Sequence, residues 1–118
     1  MILVDTSVWI DHLRRGSPRL VQLLEAEQVL CHPFIVGGLA CGNLRHRAEV
    51  ISLLSKLPVA TIATHQEALT FLEGRRLKGR GLGYVDLHLL ASSSLDGVAL
   101  WTLDKPLAQI ATSLGLDA

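Results

Sequence analysis

The chain has 118 residues, which is a common size for one domain and too short for two ordinary hydrophobic cores. Its 11 basic and 11 acidic residues cancel, so no global field attracts nucleic acid, and any such binding has to be local. Hydrophobic residues make up 49% of the sequence and aromatic residues only 4%, which predicts a core of Leu, Val, Ile and Ala.

The first half of the chain opens with a strand and continues with helices. Ile2 to Val4 is a short apolar run that predicts a buried strand ending at Asp5. Thr6 and Ser7 stand ready to cap a helix that continues to Gly16. Further helices are expected from Ser17 through Leu24, from Phe34 to about Leu44 and from Glu49 to Lys56, with a brief apolar stretch at Val29 to Cys31.

The second half alternates strands with helices. Val59 to Ala63 is β-branched and predicts a strand, and Thr64 with Glu67 matches a capping box at the start of the next helix. That helix carries Leu69, Leu72 and Leu77 and ends among the glycines at 79, 81 and 83. The remaining elements are a helix from Tyr84 to Leu95, a strand from Val98 to Leu103 and a helix from Lys105 to Leu114.

This order of elements predicts an α/β protein, a three-layer α/β/α sandwich around a central parallel sheet, with residues 1–118 as one domain. Mean hydropathy is high for so short a chain, at +0.38. Either apolar surface faces a partner, which we favour, or a deeply buried sheet raises the average.

The location is expected to be cytoplasmic, with no membrane segment. The longest uncharged stretch, residues 28–44, contains proline and several glycines, a composition that does not suit a membrane span. The N-terminus enters an apolar strand at once and carries Asp5, unlike a signal peptide. Cys31 and Cys41 lack zinc-site spacing and are expected to be buried thiols, and the histidines form no two-histidine metal motif.

Aspartate marks the ends of the first and last predicted strands. In MILVD and VALWTLD an apolar run stops at Asp5 and at Asp104. Ligands of open α/β sheets bind beyond the carboxyl ends of the strands, so these two residues are candidates for one shared site. Asp86 is a third candidate, because it interrupts the apolar sequence LGYVDLHLLA and a buried carboxylate needs a partner.

Helix capping is the simpler explanation for each of these aspartates taken singly, since Asp is a good N-cap and the helix dipole favours a carboxylate in the first turn. The three together are not explained by capping. Carboxylates about 5 Å apart repel by roughly 3 kcal/mol at an effective dielectric of about 20. Oxygen ligands without thiol or imidazole select Mg²⁺ or Mn²⁺, which supports phosphodiester hydrolysis.

Four strings in the sequence resemble the motifs of the VapC branch of the PIN-domain family. They are MILVDTSVWIDHL, HPFIVGGLACGNL, GLGYVDLHLLASSSL and LWTLDKPL, and together they span essentially the whole chain. The resemblance implies a PIN-like fold and a Mg²⁺-dependent endoribonuclease toxin, with Mn²⁺ as an alternative ion. It also implies a cognate VapB-like antitoxin and a homodimer. Asp5, Asp86 and Asp104 take the acidic metal-site positions, with Thr102 and more weakly Ser7 in support.

The second motif departs from the family pattern at Gly38, where relatives usually carry glutamate. Glu49 does not replace it, because even on one continuous helix it would lie roughly 16 Å farther along the axis. We expect impaired turnover with a mostly intact fold, whether Gly38 was introduced deliberately, was recovered because the intact toxin harmed its host, or arose by drift.

Two other interpretations stay open. One is a non-catalytic, toxin-like module that binds antitoxin or RNA without cutting it. The other is a phosphatase with Asp5 as nucleophile, which is less favoured because such enzymes commonly need an acid two residues later and Ser7 stands there. Arg75 and Arg76 are candidates for RNA phosphate contacts, although the dipole at a helix C-terminus explains basic residues equally well.

Overall fold

The centre of the fold is a parallel sheet of three strands, seen in a computed structural model that describes all 118 residues. The strands are β1 (Ile2–Val4), β2 (Val29–Leu30) and β3 (Ala99–Trp101), in the spatial order β2-β1-β3. In the middle of the sheet, Leu3 of β1 lies opposite Leu30 on one side and Leu100 on the other. The predicted α/β class with a central parallel sheet is confirmed.

At each edge of the sheet, one further residue pairs with the adjacent segment through an isolated β-bridge. Val59 pairs with Cys31 beyond β2, and Asp117 pairs with Leu100 beyond β3, both in parallel. The strand predicted over Val59 to Ala63 is therefore wrong in length, since only Val59 makes a ladder contact. Two residues later, the backbone N–H and the hydroxyl of Thr61 both donate to the Asp96 carboxylate, which leads the chain away from the sheet.

Seven helices surround the sheet. They are α1 (Thr6–Arg15), α2 (Pro18–Glu25), α3 (Pro33–Ala40), α4 (Arg47–Ser55), α5 (His65–Gly74), α6 (Tyr84–Asp96) and α7 (Lys105–Ser113). None of them is long and apolar enough to cross a membrane.

Two helix ends differ from the predictions. Helix α3 stops at Ala40 rather than near Leu44, because Gly42 donates its N–H to the carbonyl of Leu39 and tightens the last turn. Leu77 lies beyond α5 and not on it. There Arg76 takes a left-handed conformation with φ 54°, and Leu77 N–H bonds back to the carbonyl of Leu72, which closes the helix in a Schellman motif.

The core is aliphatic, as the composition predicts. A single cluster of 21 buried residues contains one aromatic side chain, Trp9, and is otherwise made of Leu, Val, Ile, Ala and Cys31. The expectation of buried thiols holds for Cys31 and is wrong for Cys41, which is exposed just after α3. The core therefore depends on close packing of branched side chains rather than on large rings.

Removal of the capping box at α5 tests how much this cap contributes to the stability of the protein. Thr64 accepts a hydrogen bond from Glu67 N–H at 3.0 Å, and Glu67 accepts one from Thr64 N–H at 2.9 Å. We expect Thr64→Ala to lower the free energy of unfolding by about 1 kcal/mol in urea titrations. Thr70→Ala, at an exposed position inside the same helix, is the matched control and should not destabilise the protein. Equal losses in both variants would contradict the role of the cap.

Candidate active site

Asp5 and Asp104 follow two neighbouring parallel strands at the same end of the sheet. Val4 lies opposite Trp101, and the Asp5 N–H donates to the carbonyl of Trp101 at 2.9 Å. Each aspartate also caps the helix that follows it. Asp5 accepts from the N–H of Ser7, so it and not Thr6 or Ser7 is the cap of α1, and Asp104 accepts from the N–H of Leu107. Capping and membership in a shared site are thus compatible.

Two hydroxyl groups hold the Asp5 carboxylate in place. Ser7 Oγ and Thr102 Oγ1 donate to the same oxygen, Oδ2, at 2.7 and 2.8 Å. The hydroxyls are fixed in turn, since Leu103 N–H donates to Ser7 Oγ and Asp104 N–H donates to Thr102 Oγ1. Asp5 and Thr102 are each only 8% exposed. The carboxylate is therefore held rigidly, and its Oδ1 stays free to meet a ligand.

Asp86 lies in the first turn of α6, and the surrounding protein shifts the pKa of its carboxyl group. Burial raises the pKa of this carboxyl, the Gly83 backbone N–H opposes that shift, and the negative charges of Asp5 and Asp104 raise the pKa further. The fold therefore brings all three predicted aspartates within range of one another's fields.

The carboxylates interact by charge but do not form a closed metal cage. No three His, Cys, Asp or Glu side chains in the structure lie close enough together to hold a metal ion as they stand. Carboxylate and hydroxyl oxygens are nevertheless the donors that hard cations prefer, and Mg²⁺ is commonly bound by one or two carboxylates with waters completing its shell. The residues fit an open Mg²⁺ or Mn²⁺ site better than a dedicated cage.

Gly38 lies on the exposed side of α3 and faces the start of α1. A Cβ atom built at Gly38 would meet only Thr6 Oγ1, at 3.6 Å, which is an ordinary contact. No glutamate from elsewhere takes this place. The chain leaves helix between Ala40 and Arg47, and Glu49 instead pairs with His46 at 3.2 Å.

Arg75 and Arg76 form no hydrogen bond or ion pair with the three aspartates. The Arg75 guanidinium lies 5.5 Å from the centroid of the Phe71 ring, and Arg76 forms the left-handed turn that closes α5. Neither arginine makes an ion pair with an acidic residue. Their assignment to RNA phosphate contacts stays a prediction.

A row of rings was missed by the sequence reasoning, which treated most of the histidines as ordinary. It is made of His32, Phe34, His88, Tyr84 and His65, and we call it the aromatic row. Successive ring centroids along it are 5.1, 5.1, 4.5 and 5.6 Å apart. The available signal was the spacing of Tyr84 and His88, four residues apart and therefore on one face of α6.

Two histidines of the row are buried. Burial lowers the pKa of His32 and of His88, and the neighbouring imidazoles His88 and His65, respectively, lower them further. His32 Nδ1 accepts the N–H of Phe34 at 3.0 Å, so its proton lies on Nε2, which has no partner. Neither ring nitrogen of His88 has a partner.

The fold and the site define a class of protein. A sequence model of the PIN domain matches residues 2–112, and the chain belongs to the PIN-domain family, as a VapC-type member. Similar relatives are the proteins named ribonuclease VapC32 in two strains of Mycobacterium tuberculosis, CDC 1551 / Oshkosh and ATCC 25618 / H37Rv. Each is 48% identical over 117 residues, which cover 98% of this chain and 94% of the relative.

Neutralising Asp86 should stabilise the metal-free protein. Because the folded state raises the pKa of Asp86 above its ordinary 3.8, the ionised carboxylate costs stability at neutral pH. That cost fades as the pH falls through the folded pKa towards the ordinary value. In EDTA, we expect Asp86→Asn to unfold at higher urea concentration than wild type at pH 7, with a difference that shrinks on acidification.

The control for this experiment is Asp117→Asn, which neutralises an exposed carboxylate at the far end of the chain. A wild-type protein that equals or exceeds Asp86→Asn in stability at pH 7 would show that burial and the neighbouring carboxylates do not destabilise the ionised Asp86.

Proposed function

We propose that this chain is a Mg²⁺-dependent endoribonuclease toxin of a VapBC-type toxin–antitoxin module, with turnover impaired by Gly38. The observation that carries the proposal is that Asp5 and Asp104 follow paired parallel strands at one end of the sheet, where the Thr102 hydroxyl bonds to Asp5. The negative charges of Asp5 and Asp104 also raise the pKa of Asp86, which supports a shared site. Its relatives at 48% identity are named ribonucleases, which supports RNA as the substrate.

The chain's own residues have defined tasks in this proposal. Asp5, Asp86 and Asp104 bind the ion, and the Ser7 and Thr102 hydroxyls orient Asp5 by donating to Oδ2, which leaves Oδ1 for the ion. A bound Mg²⁺ or Mn²⁺ would supply the positive charge that acidifies a water molecule and offsets charge on the phosphodiester. Arg75 and Arg76 are proposed to hold RNA phosphates outside this centre.

The partners follow from the same assignment. We propose a VapB-like antitoxin and a homodimer, and the exposed apolar side chains of the surface support such contacts. The largest exposed fractions among them are those of Val59, Ile62, Leu95, Leu53 and Leu103, at 57, 54, 51, 49 and 49%.

A second candidate function, a module that binds RNA or antitoxin without cutting, is favoured by Gly38. A carboxylate is missing at this position, and stability does not account for the change, since Gly inside a helix costs about 1 kcal/mol relative to Ala. Titration of the purified chain with Mn²⁺, alongside an RNA cleavage assay, separates the two functions. Binding of metal and RNA without any cleavage would favour the non-catalytic module.

Restoring the carboxylate should restore turnover. Gly38→Glu fits without steric conflict, because its Cβ meets only Thr6 Oγ1. We expect Mg²⁺- or Mn²⁺-dependent RNA cleavage to rise at least tenfold, on the order of the gain from one added charge stabiliser. Gly38→Gln should not reproduce the gain, because it has the same size but no charge.

The matched control is Gly37→Glu, which adds the same side chain at the adjacent exposed position, where a Cβ meets nothing within 4 Å. It should leave cleavage unchanged. Equal rates in wild type and Gly38→Glu would refute the impairment.

The Thr102 hydroxyl should matter for metal affinity although it need not touch the ion. Thr102→Val keeps the shape of the side chain and removes the 2.8 Å hydrogen bond to Asp5. Loss of such an orienting bond typically weakens metal binding by about 10- to 100-fold, and calorimetric titration with Mn²⁺ measures it. Thr112→Val, at an exposed position on α7, is the control, and equal affinities in the two variants would remove Thr102 from the site.

A further inference from the structure

A lysine follows one of the three aspartates directly in the sequence. Lys105 is the first residue of α7 and is exposed, and Asp104 caps the same helix by accepting from the N–H of Leu107 at 3.0 Å. Consecutive Cα atoms are about 3.8 Å apart, so chain connectivity alone keeps Lys105 beside this carboxylate. No other lysine or arginine is so near in the sequence to any of the three aspartates.

The helix itself does not explain a lysine at this position. The N-terminus of a helix carries a partial positive charge, which disfavours cations in the first turn and favours them in the last. The first turn of α7 also contains no acidic residue that could offset the charge of Lys105. Lys105 is therefore placed against the dipole of its own helix.

The other basic residues in the first turns of helices each have a partner. Arg19 of α2 lies 4.3 Å from the centroid of the Trp101 ring, and Arg47 of α4 donates to a backbone carbonyl at 2.9 Å. His65 of α5 lies 2.7 Å from a tyrosine hydroxyl. Lys105 forms no ion pair and no cation–π contact. Its ammonium group is therefore available to a ligand.

The acidic site needs a cation besides the metal ion in order to hold RNA. Three ionised carboxylates exceed the double charge of one Mg²⁺, so the site keeps a negative charge that repels a phosphodiester. A lysine ammonium is a compact positive charge with three hydrogen-bond donors, which suits phosphate oxygens. Lys105 stands where such a charge is required.

We propose that Lys105 binds the RNA phosphate at the acidic site, the scissile phosphate or its immediate neighbour, an inference that rests on the proposed RNA-cleaving function. The lysine attracts the phosphodiester that the aspartates repel. Because it contacts a phosphate and not a base, it contributes affinity for RNA of any sequence and does not select the target.

The test measures RNA binding without cleavage and without metal. The parent is the full-length protein with Asp5→Asn and Asp104→Asn, which remove most of the repulsion and keep both helix caps, since asparagine caps as well as aspartate does. It is titrated in EDTA with a fluorescein-labelled single-stranded RNA, and anisotropy gives the binding constant at several KCl concentrations. Adding Lys105→Gln should weaken binding and reduce the slope of log K against log [KCl] by about 0.7, the contribution of one phosphate contact. Lys105→Arg, which keeps the charge, should keep the slope of the parent.

Lys56→Gln is the matched control, because it removes the same charge from another exposed lysine. Lys56 lines a cleft with Val29, which pairs with Ile2 at the amino end of the sheet, opposite to the aspartates. This variant should keep the slope of the parent. Thermal unfolding in EDTA is compared for wild type and a chain whose only change is Lys105→Gln, and the midpoint should not fall, since the helix dipole disfavours the lysine.

Failures of the two proposals are distinguishable. Equal slopes in Lys105→Gln and its parent, equal losses in Lys105→Gln and Lys56→Gln, or no RNA binding by the parent overturns the phosphate contact. A lower unfolding midpoint in Lys105→Gln with an unaltered slope also overturns it and makes Lys105 a counter-charge for the aspartates. A slope that depends on Lys105, together with no cleavage by Gly38→Glu, upholds the phosphate contact and rejects the nuclease. Cleavage by Gly38→Glu with a slope that does not depend on Lys105 rejects the contact and leaves the nuclease in place.

Discussion

Parallel pairing of β1 with β3 is the constraint on which the rest of the site depends. The first and the last strands of the chain lie side by side, with Val4 opposite Trp101, so both aspartates that follow them emerge at one end of the sheet. The hydroxyl of Thr102, next to β3, then reaches the carboxylate of Asp5, next to β1. A shift of one residue in this register would turn these side chains to the opposite face and separate them.

The three carboxylates repel one another in this arrangement, and the fold stabilises one of them with hydrogen bonds. Asp5 accepts two hydroxyl bonds on a single oxygen, whereas Asp86 stays under the fields of both other carboxylates with a raised pKa. This repulsion lowers the stability of the metal-free protein and would favour the binding of a cation. Such a trade-off is common where function and stability compete. Under the proposed function, Gly38 lacks both the negative charge and the metal ligand that a glutamate would add opposite Thr6.

Much of the fold was predictable because local chemistry specified it. Ser17 with Pro18 and the Thr64–Glu67 capping box mark helix starts that the structure confirms. One error arose where a tertiary contact decides. The strand expected over Val59 to Ala63 is reduced to one bridge because Thr61 bonds to Asp96, thirty-five positions away in the sequence.

The sequence by itself determined the family, through four motifs spread over the chain. It also predicted Asp5 and Asp104 as site residues, because an apolar run that stops at a carboxylate is visible in the sequence, and Asp86 because it interrupts an apolar stretch. Only the tertiary structure revealed that Ser7 and Thr102 share one oxygen of Asp5, and that Gly38 faces Thr6. It alone assembled the aromatic row, whose rings come from three helices and from the residue that caps α3. Contacts between residues far apart in the chain leave no periodic signal, since each depends on how separate elements pack.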